Sequence, residues 1–564
     1  MSESLEEFIQ DLPELDPVVV KLLYQRGLRS QEEVDAFLHP EYVRDQHDSF
    51  LFKDMKKAVE RIIAARDNAE KIVIYGDYDA DGVCSSVLLL SALQQIGIKE
   101  NVRIYLPHRD TEGYGLNTAA IDTFIGEGVD LIITVDCGIS NADEVQLATD
   151  NNIDVIVTDH HVEPLRLPES AYAIINPQIS SDTYPFPMLA GVGVAFKLTQ
   201  ALGKTLDLGE SFEKWLLDLV AISTITDCMP LVDENRTLVK YGLVVLNKTR
   251  RLGLKTLIAS THKLGTPVTT TSIGYRIGPW INAAGRIDHA NVAVQALVEE
   301  DPAKVDAQVE KLKRTNIDRQ QQTEVMYQEA RQQAEAQKND PVIYVFGKHW
   351  PLGLVGLVAG RLVSAYGKPA FVLTENDTEV SGSGRSIEGL DMISNLQKIE
   401  DLFYKYGGHA MACGFTLKKD HSREKFADTF TNIAKYALSK IDHSMNVVVD
   451  ADLEVSDINW ELVQQLDQFN PFGQGNPEPI FRIRNSKIKD FQVIGPKRNH
   501  LRLVLTDEKK SVKAIAFGQA DFANRLSIGD DVEATCNLGI NHWNGNSEIQ
   551  VMIKDIKKKN SIHD

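Results

Sequence analysis

The sequence predicts an α/β protein built in parts: a doubly wound parallel-sheet domain, a second α/β lobe joined to it by a long helix, and a small closed β-barrel at the C-terminal end. Three observations carry this. Between Lys71 and Pro177 short apolar runs alternate with helical ones, the mark of a parallel sheet with right-handed crossovers. Between Pro302 and Pro341 no Gly or Pro interrupts a stretch rich in Ala, Gln, Glu and Lys, which is strongly helical. From about Asp450 short alternating strands are separated by turns such as WNGN. At 564 residues the chain is too long for one core and divides into about three or four domains. The expected segments are an N-terminal helical piece (1–50), the parallel-sheet domain (51–240), a connecting region with the long helix (241–340), the second α/β lobe (341–445) and the barrel (446–564).

Taken in order, the first sheet reads strand KIVIY, helix VCSSVLLLSALQQIG, strands RIYLP and VDLIITV, helix NADEVQLATDN, and strands IDVIVT and AYAIIN. Ligands of such sheets collect at the carboxyl ends of the strands. KIVIY runs into Asp77, Asp79 and Asp81, LIITV into Asp136, and DVIVT into Asp159, His160 and His161, while Asp227 ends the apolar run LLDLVAISTIT. A helix N-cap explains any one of these alone, but not four together. Three carboxylates on alternate residues repel unless some are protonated or a cation sits among them. D-x-D-x-D-G also opens a calcium-binding EF-hand loop. Here the twelfth position is Leu88 where Glu is needed, and a strand precedes it where a helix is needed. An Asp-rich set with His and no Cys suits Mn²⁺ or Mg²⁺ better than structural zinc. Shared carboxylates can hold two such ions about 3.5–4 Å apart, the arrangement for in-line attack on phosphorus.

The long helix spans about 50 Å. Only a thin apolar stripe is visible (Val305, Val309, Leu312, Val325), so it reads as a mostly wet spacer, with Lys311, Lys313, Arg314 and Arg319 as cations able to touch a polyanion. The second lobe reads PVIYVFG, LVGLVAGRLVSAYG and PAFVLTE. Three Gly-plus-cation clusters, INAAGRIDHA (281–290), SGSGRS (381–386) and YGGHAMACGF (406–415), combine close backbone approach with Arg or His and point to phosphate binding. Five strands follow in the tail: FQVIG, HLRLVLT, VKAIAFG, DVEATCNLGI and SEIQVMIKDI. That number and length suit an OB-fold.

The net charge of −20 argues against a protein coated in nucleic acid. The charge is uneven, however: between Phe481 and Lys513 ten Lys/Arg face three acids, a local +7. With Phe491, His500 and Trp543 nearby, that face can track a single strand by charge and stacking. No run is long and apolar enough for a membrane span, and MSESLEEFIQDLPELD is acidic where a signal peptide is basic. The five cysteines (84, 137, 228, 413, 536) show no C-x-x-C spacing. They are expected to be small buried hydrophobes in a reducing, cytoplasmic compartment.

DYDADG (77–82), VDCGIS (135–140), TDHH (158–161) and TD (226–227) resemble the four signature motifs of the DHH phosphoesterase superfamily. PHRDTEGYGL (107–116), INAAGR, SGSGRS, GGHAMACGF and PFGQGNPEP (471–479) resemble its RecJ branch, the single-strand-specific 5′→3′ DNA exonucleases. The resemblance runs from about residue 20 to beyond 550. It implies hydrolysis of single-stranded DNA to mononucleotides with two Mn²⁺ or Mg²⁺ ions, in DNA repair and recombination, by a monomer assisted by a single-strand-binding protein and a helicase. Asp79 and Asp81 would be ligands, Asp136 would bridge the ions, and His160 and Asp227 would complete the second ion's sphere. Asp77 would stand beside them or act as an occasional ligand. His161 would face the scissile phosphate. Arg109, Ser383 and Arg385 would grip the 5′ phosphate, Tyr114 would stack a base, and Arg286 and His409 would contact phosphates next to the cut. A phosphatase or short-oligonucleotide nuclease of the superfamily, or a non-catalytic DNA-binding scaffold, are the alternatives. Three positions depart from the branch's pattern: Trp280 precedes INAAGR where a basic residue is usual, Asp288 replaces a Gly, and WPLG (350–353) lacks a His that His349 would replace.

Overall fold

The computed structural model describes residues 4–263, 265–376, 379–419, 423–439, 448–543 and 546–559. Contacts divide the chain into two units, one of residues 49–227 and 245–445, the other of 1–48, 228–244 and 446–564.

The larger unit contains two sheets. In the first, β1 (Ile72–Gly76), β2 (Val102–Tyr105), β3 (Leu131–Val135), β4 (Asp154–Thr158) and β5 (Ala173–Ile175) lie in the order β2-β1-β3-β4-β5, all parallel. Every residue of β1 and β3 is buried, because helices cover both faces and leave no polar side. Val73, Tyr75, Ile132 and Val155 pack with Ile121, Phe124 and Val145 of the helices Thr118–Glu127 and Ala142–Asp150. The helices Ala80–Gln95 and Gly191–Thr205 pack together and reach β1, β3 and β4. Strands β1, β3 and β4 are neighbours, so their carboxyl ends meet at one rim.

The second sheet comprises β6 (Ile343–Lys348), β7 (Ala370–Glu375), β8 (Val380–Arg385), β9 (Phe403–His409) and β10 (Ala412–Leu417), ordered β6-β7-β8-β10-β9. Only β6–β7 is parallel; the rest is antiparallel. Two of the Gly-rich clusters are therefore strands, β8 and the β9–β10 hairpin, and INAAGR lies in the helix Gly278–Ile287.

The connecting helix runs Pro302–Ala336, 35 residues, with Pro at its start and the Asp301 side chain capping Ala303 N at 2.9 Å. Most of its surface is exposed, as expected of a wet spacer, but one face is buried. It packs along the helices Leu252–Thr261, Gly278–Ile287, Asn291–Val298 and Leu352–Tyr366. Val325 is 60% exposed and off the stripe, because spacings of three and four carry the buried face through Thr323 and Met326 instead.

In the smaller unit, β11 (Ala451–Leu453), β12 (Phe481–Ile494), β13 (His500–Thr506), β14 (Ser511–Ala516), β15 (Asp531–Trp543) and β16 (Asn546–Lys558) are ordered β11-β12-β13-β14-β16-β15. Pairing of β12 with β15 closes a five-stranded barrel. Phe8, Val19, Leu22 and Leu38 of the first 38 residues share one core with Leu462, Phe481, Leu503 and Val532, so segments read apart in sequence fold as one body. Four of the ten cations of the basic stretch are paired on the surface: Arg482 and Arg484 with Asp452, Lys487 with Glu508, Lys513 with Glu548. The side chain of Trp543 lies outside the described residues. None of the five cysteines is in a disulfide; four are buried, but Cys228 is exposed, against expectation, where the chain leaves the Leu217–Thr226 helix. No described helix is long and apolar enough to cross a membrane.

Candidate metal centre

Each acid at the rim is set by its strand end. Asp79 caps the helix Ala80–Gln95 through Oδ1, which accepts from Asp81 N (2.8 Å) and Gly82 N (3.1 Å). The capping role and a ligand role coexist, since the other oxygen takes no part in the cap. Asp81 lies on the N-terminus of the Gly191–Thr205 helix: Oδ2 accepts from Gly191 N (2.7 Å) and Oδ1 from Val192 N (2.9 Å) and the Ser223 hydroxyl. That helix end favours its negative charge. Asp136, the residue after β3, has φ +60°, a left-handed conformation that costs a non-glycine residue energy and turns its side chain out of the strand direction. The turn needs room: a Cβ on Gly191 would sit 2.7 Å from Asp136 Cβ.

The imidazoles follow β4. His160 Nδ1 stands 3.0 Å from the Leu189 carbonyl, which can only accept, so Nδ1 carries a hydrogen. Its Nε2 lies 3.1 Å from Asp136 Oδ1 and 3.7 Å from both Asp81 Oδ2 and Asp227 Oδ2. Burial disfavours the imidazolium and pulls the His160 pKa down. A neutral ring aims a lone pair at three carboxylates, an arrangement that asks for a cation between them. His161 is held differently. Asp159, 1% exposed, accepts from His160 N (2.7 Å), His161 N (3.1 Å) and His161 Nδ1 (2.8 Å) through Oδ1, and from Ile139 N (3.0 Å) through Oδ2. Burial opposes charge on His161, but the Asp159 bond and charge outweigh it and lift the pKa to about 9.

Three overlapping trios keep potential ligand atoms within 4.8 Å of one another: Asp77, Asp79 and Asp136; Asp81, His160 and Asp227; Asp136, His160 and His161. Burial, then the charge of Asp79, pushes Asp77 to about 8, and its Oδ1 is buried without a partner. Burial and neighbouring carboxylates raise Asp136 and Asp227 well above the usual range. Oxygen-rich donors with imidazole and no sulfur fit Mn²⁺ or Mg²⁺. Asp136 and His160 each belong to two trios; the two oxygens of Asp136 suit it to serve two ions, whereas His160, with only Nε2 free to ligate, can serve one.

Around the trios stand the expected phosphate-binding residues. Arg109 donates from Nε to Gly285 O (2.9 Å), with its guanidinium 3.9 Å over the Tyr78 ring. Arg286 Nη1 donates to Gly353 O (2.9 Å). Ser383 donates to Cys413 O (2.8 Å) and accepts from Arg385 Nη1 (2.9 Å). The helix Leu352–Tyr366 links these sets: Gly353 meets Arg286, and a Cβ on Gly356 would sit 2.8 Å from Arg385 Nη2. His409, at the end of β9, lies 6.4 Å ring to ring from His161, near parallel at 20°. Tyr114 is 46% exposed, and its hydroxyl donates to Asp136 O (3.2 Å) beside His161 Nδ1 (3.1 Å).

The comparisons with known proteins address the whole chain. Over 544 residues it is 37% identical to the single-stranded-DNA-specific exonuclease RecJ of Bacillus subtilis (strain 168), covering 96% of this chain and 68% of that protein. Over 563 residues it is 33% identical to the RecJ of Haemophilus influenzae, covering 96% of each. The chain belongs to the RecJ family. Family models agree in order: DHH family, N-terminal domain over residues 71–224, DHHA1 domain over 339–436, and RecJ OB domain over 449–555. Among solved structures, RecJ from Thermus thermophilus in complex with Mn²⁺ matches with a TM-score of 0.80 at 28% identity, over 98% of this chain and 78% of that one. The Mg²⁺ complex from the same organism matches at 0.74.

Within this RecJ-family site, sequence reasoning missed several supports. Asp159 was visible in TDHH but its hold on His161 was not. Asn282 Oδ1 accepts from Ala80 N (2.8 Å) across 202 residues, and Ser223 serves Asp81 across 142. Of the departures, Asp288 pairs with Lys311 at 3.0 Å, Trp280 is half-buried, and His349 is exposed with φ +56°.

Proposed function

We propose that this chain is a two-metal-ion exonuclease that removes mononucleotides from the 5′ end of single-stranded DNA, in repair and recombination. The observation that carries the reading is a ring of carboxylates around His160 Nε2, with Arg109 and Arg286 in electrostatic reach of its acids and Arg385 in reach of Arg286, in a chain of the RecJ family. When bound, the ions supply Lewis acidity, making water a usable nucleophile near neutral pH and offsetting charge at phosphorus. The residues do the rest. Leu189 O fixes the His160 tautomer so that Nε2 is a ligand. Asp79, Asp81, Asp136 and Asp227 would complete the set that holds the ions, with Asp136 serving both and Asp77 at its edge. His161, kept protonated by Asp159, stabilises charge on the scissile phosphate or donates a proton to the leaving oxygen. Arg109, Ser383 and Arg385 hold a 5′ phosphate, Arg286 and His409 the phosphates beside the cut, and Tyr114 a base. A grip at a fixed distance from the ions makes cutting start at an end.

We divide the labour accordingly: residues 51–240 carry the ions, 341–445 the end grip, and 446–564 the strand track, with 1–50 as a helical support and 241–340 as the connection. We further propose a cytoplasmic monomer, in keeping with cysteines that form no disulfide, helped by a single-strand-binding protein and a helicase. The test is digestion of end-labelled single- and double-stranded DNA with and without Mn²⁺, on 5′-phosphate and 5′-hydroxyl ends. Mononucleotides released from the 5′ end of the single strand, only with the ion, are expected. Release from the 3′ end, or equal cutting of duplex, contradicts the reading. Faster turnover of a dinucleotide than of a long strand would favour the short-oligonucleotide alternative.

A further inference from the structure

The buried face of the Pro302–Ala336 helix changes character at its middle. Spacings of four and three lead from Val305 through Val309, Leu312, Asn316, Arg319, Thr323, Met326 and Ala330 to Ala334, one continuous stripe that is buried at every position except the half-buried Arg319. Both ends are apolar and packed; the three central positions are polar. Asn316 is 4% and Thr323 7% exposed. Asn316 Oδ1, Arg319 Nε and Thr323 Oγ1 are all buried without a hydrogen-bond partner. One buried unsatisfied polar group is already costly, so three in register need a reason.

The cations of this helix separate in the same way. Lys311 pairs with Asp288, and Lys313 and Arg314 pair with Glu310. No described ion pair involves Arg319, whose pKa burial lowers. Arg319 does have charged neighbours, but they are arginines. Arg286 is held down to about 10 by burial first and then by Arg109, with Asp79 opposing and Arg319 and Arg385 adding to the effect. Arg109, Arg319 and Arg385 thus each lie within electrostatic reach of Arg286, and no described ion pair joins any of the four to a carboxylate.

We propose that the polar break in the stripe is a phosphate-binding subsite: Arg319, flanked by Asn316 and Thr323, takes an oxygen of a strand phosphate near the 5′ end, making the connecting helix part of the substrate site. An Arg fork matches phosphate geometry, a Thr hydroxyl can donate, and an Asn amide presents N–H once turned about its last bond. The inference rests on the exonuclease reading and adds to it a wall that no motif marked.

The test is equilibrium binding of short single-stranded oligodeoxynucleotides, 5′-phosphorylated and 5′-hydroxyl, to the full chain without divalent ions, over a range of salt, with melting temperatures measured in parallel. Arg319→Met should weaken binding by about tenfold, the low end for a charged hydrogen bond, and lower the slope of log affinity against log salt by about one. Its melting temperature should equal or exceed that of wild type, since an unpaired charge has left a half-buried position. Arg319→Lys should keep the salt slope while losing part of the affinity, and Asn316→Leu should bind less tightly yet melt no lower. A defect confined to the 5′-phosphorylated strand assigns Arg319 to the terminal phosphate; a defect on both assigns it to the next one, and either upholds the subsite. Unchanged affinity and salt slope in Arg319→Met overturn it, as does a loss of affinity that comes with a matching fall in melting temperature. Wild-type protein that binds neither strand sinks the exonuclease reading itself, whatever the variants do.

Discussion

At the scale of single residues, the site depends on Asp136. Its left-handed φ of +60° and the missing Cβ of Gly191 place its carboxylate 3.1 Å from His160 Nε2. Asp136→Ala should cut hydrolysis by more than about a hundredfold, with single-strand binding within about twofold of wild type in a direct binding assay. Asp136→Asn removes one charge from a crowded buried set. The metal-free variant should therefore melt roughly 2–4 °C higher than wild type, while the rise that Mn²⁺ gives wild type by mass action should disappear; calorimetry reads both. Gly191→Ala should reduce Mn²⁺ affinity at least about tenfold, because the new methyl displaces Asp136. The candidate ligands were legible in the sequence because all but Asp227, which ends the Leu217–Thr226 helix, come just after an apolar strand. Their supports were not, because Ser223, Asn282 and Leu189 reach the rim from distant segments whose local patterns say only helix or loop.

At the scale of elements, alternation of strands and helices announced the first sheet, and five short strands announced the barrel, since periodicity reports burial directly. The connecting helix shows where such a reading stops. Its existence was plain from composition, yet its buried face mixes polar with apolar residues, so a search for an apolar stripe chose the exposed Val325 over Thr323. The N-terminal helices were likewise visible, but nothing local tells which core they join. Because Phe8 lies in the core shared with the barrel, Phe8→Ala should destabilise that body by about 3–5 kcal/mol, seen as an earlier unfolding transition, and removing the barrel outright would strip those helices of their core. Charge reversal is the cleaner probe of the strand track. Lys497 and Arg498 are exposed on the turn between β12 and β13; reversing both to Glu should weaken single-strand binding and lower its salt slope by about two, with cleavage of a bound end unaffected.

At the scale of the whole molecule, two bodies are threaded by one chain, the smaller from both termini and a short central segment. The larger holds both the carboxylate ring and the arginines, so the proposed chemistry and the proposed end recognition belong to the same unit. A chain built this way should prefer 5′-phosphate over 5′-hydroxyl ends, and Arg385→Met should erase most of that preference in a competition digest. All of this presupposes that divalent ions occupy the rim of the parallel sheet. Anomalous diffraction at the manganese edge from soaked crystals tests that most directly. Two peaks should appear among Asp77, Asp79, Asp81, Asp136, His160 and Asp227. An empty rim, or peaks found only elsewhere, would contradict the account.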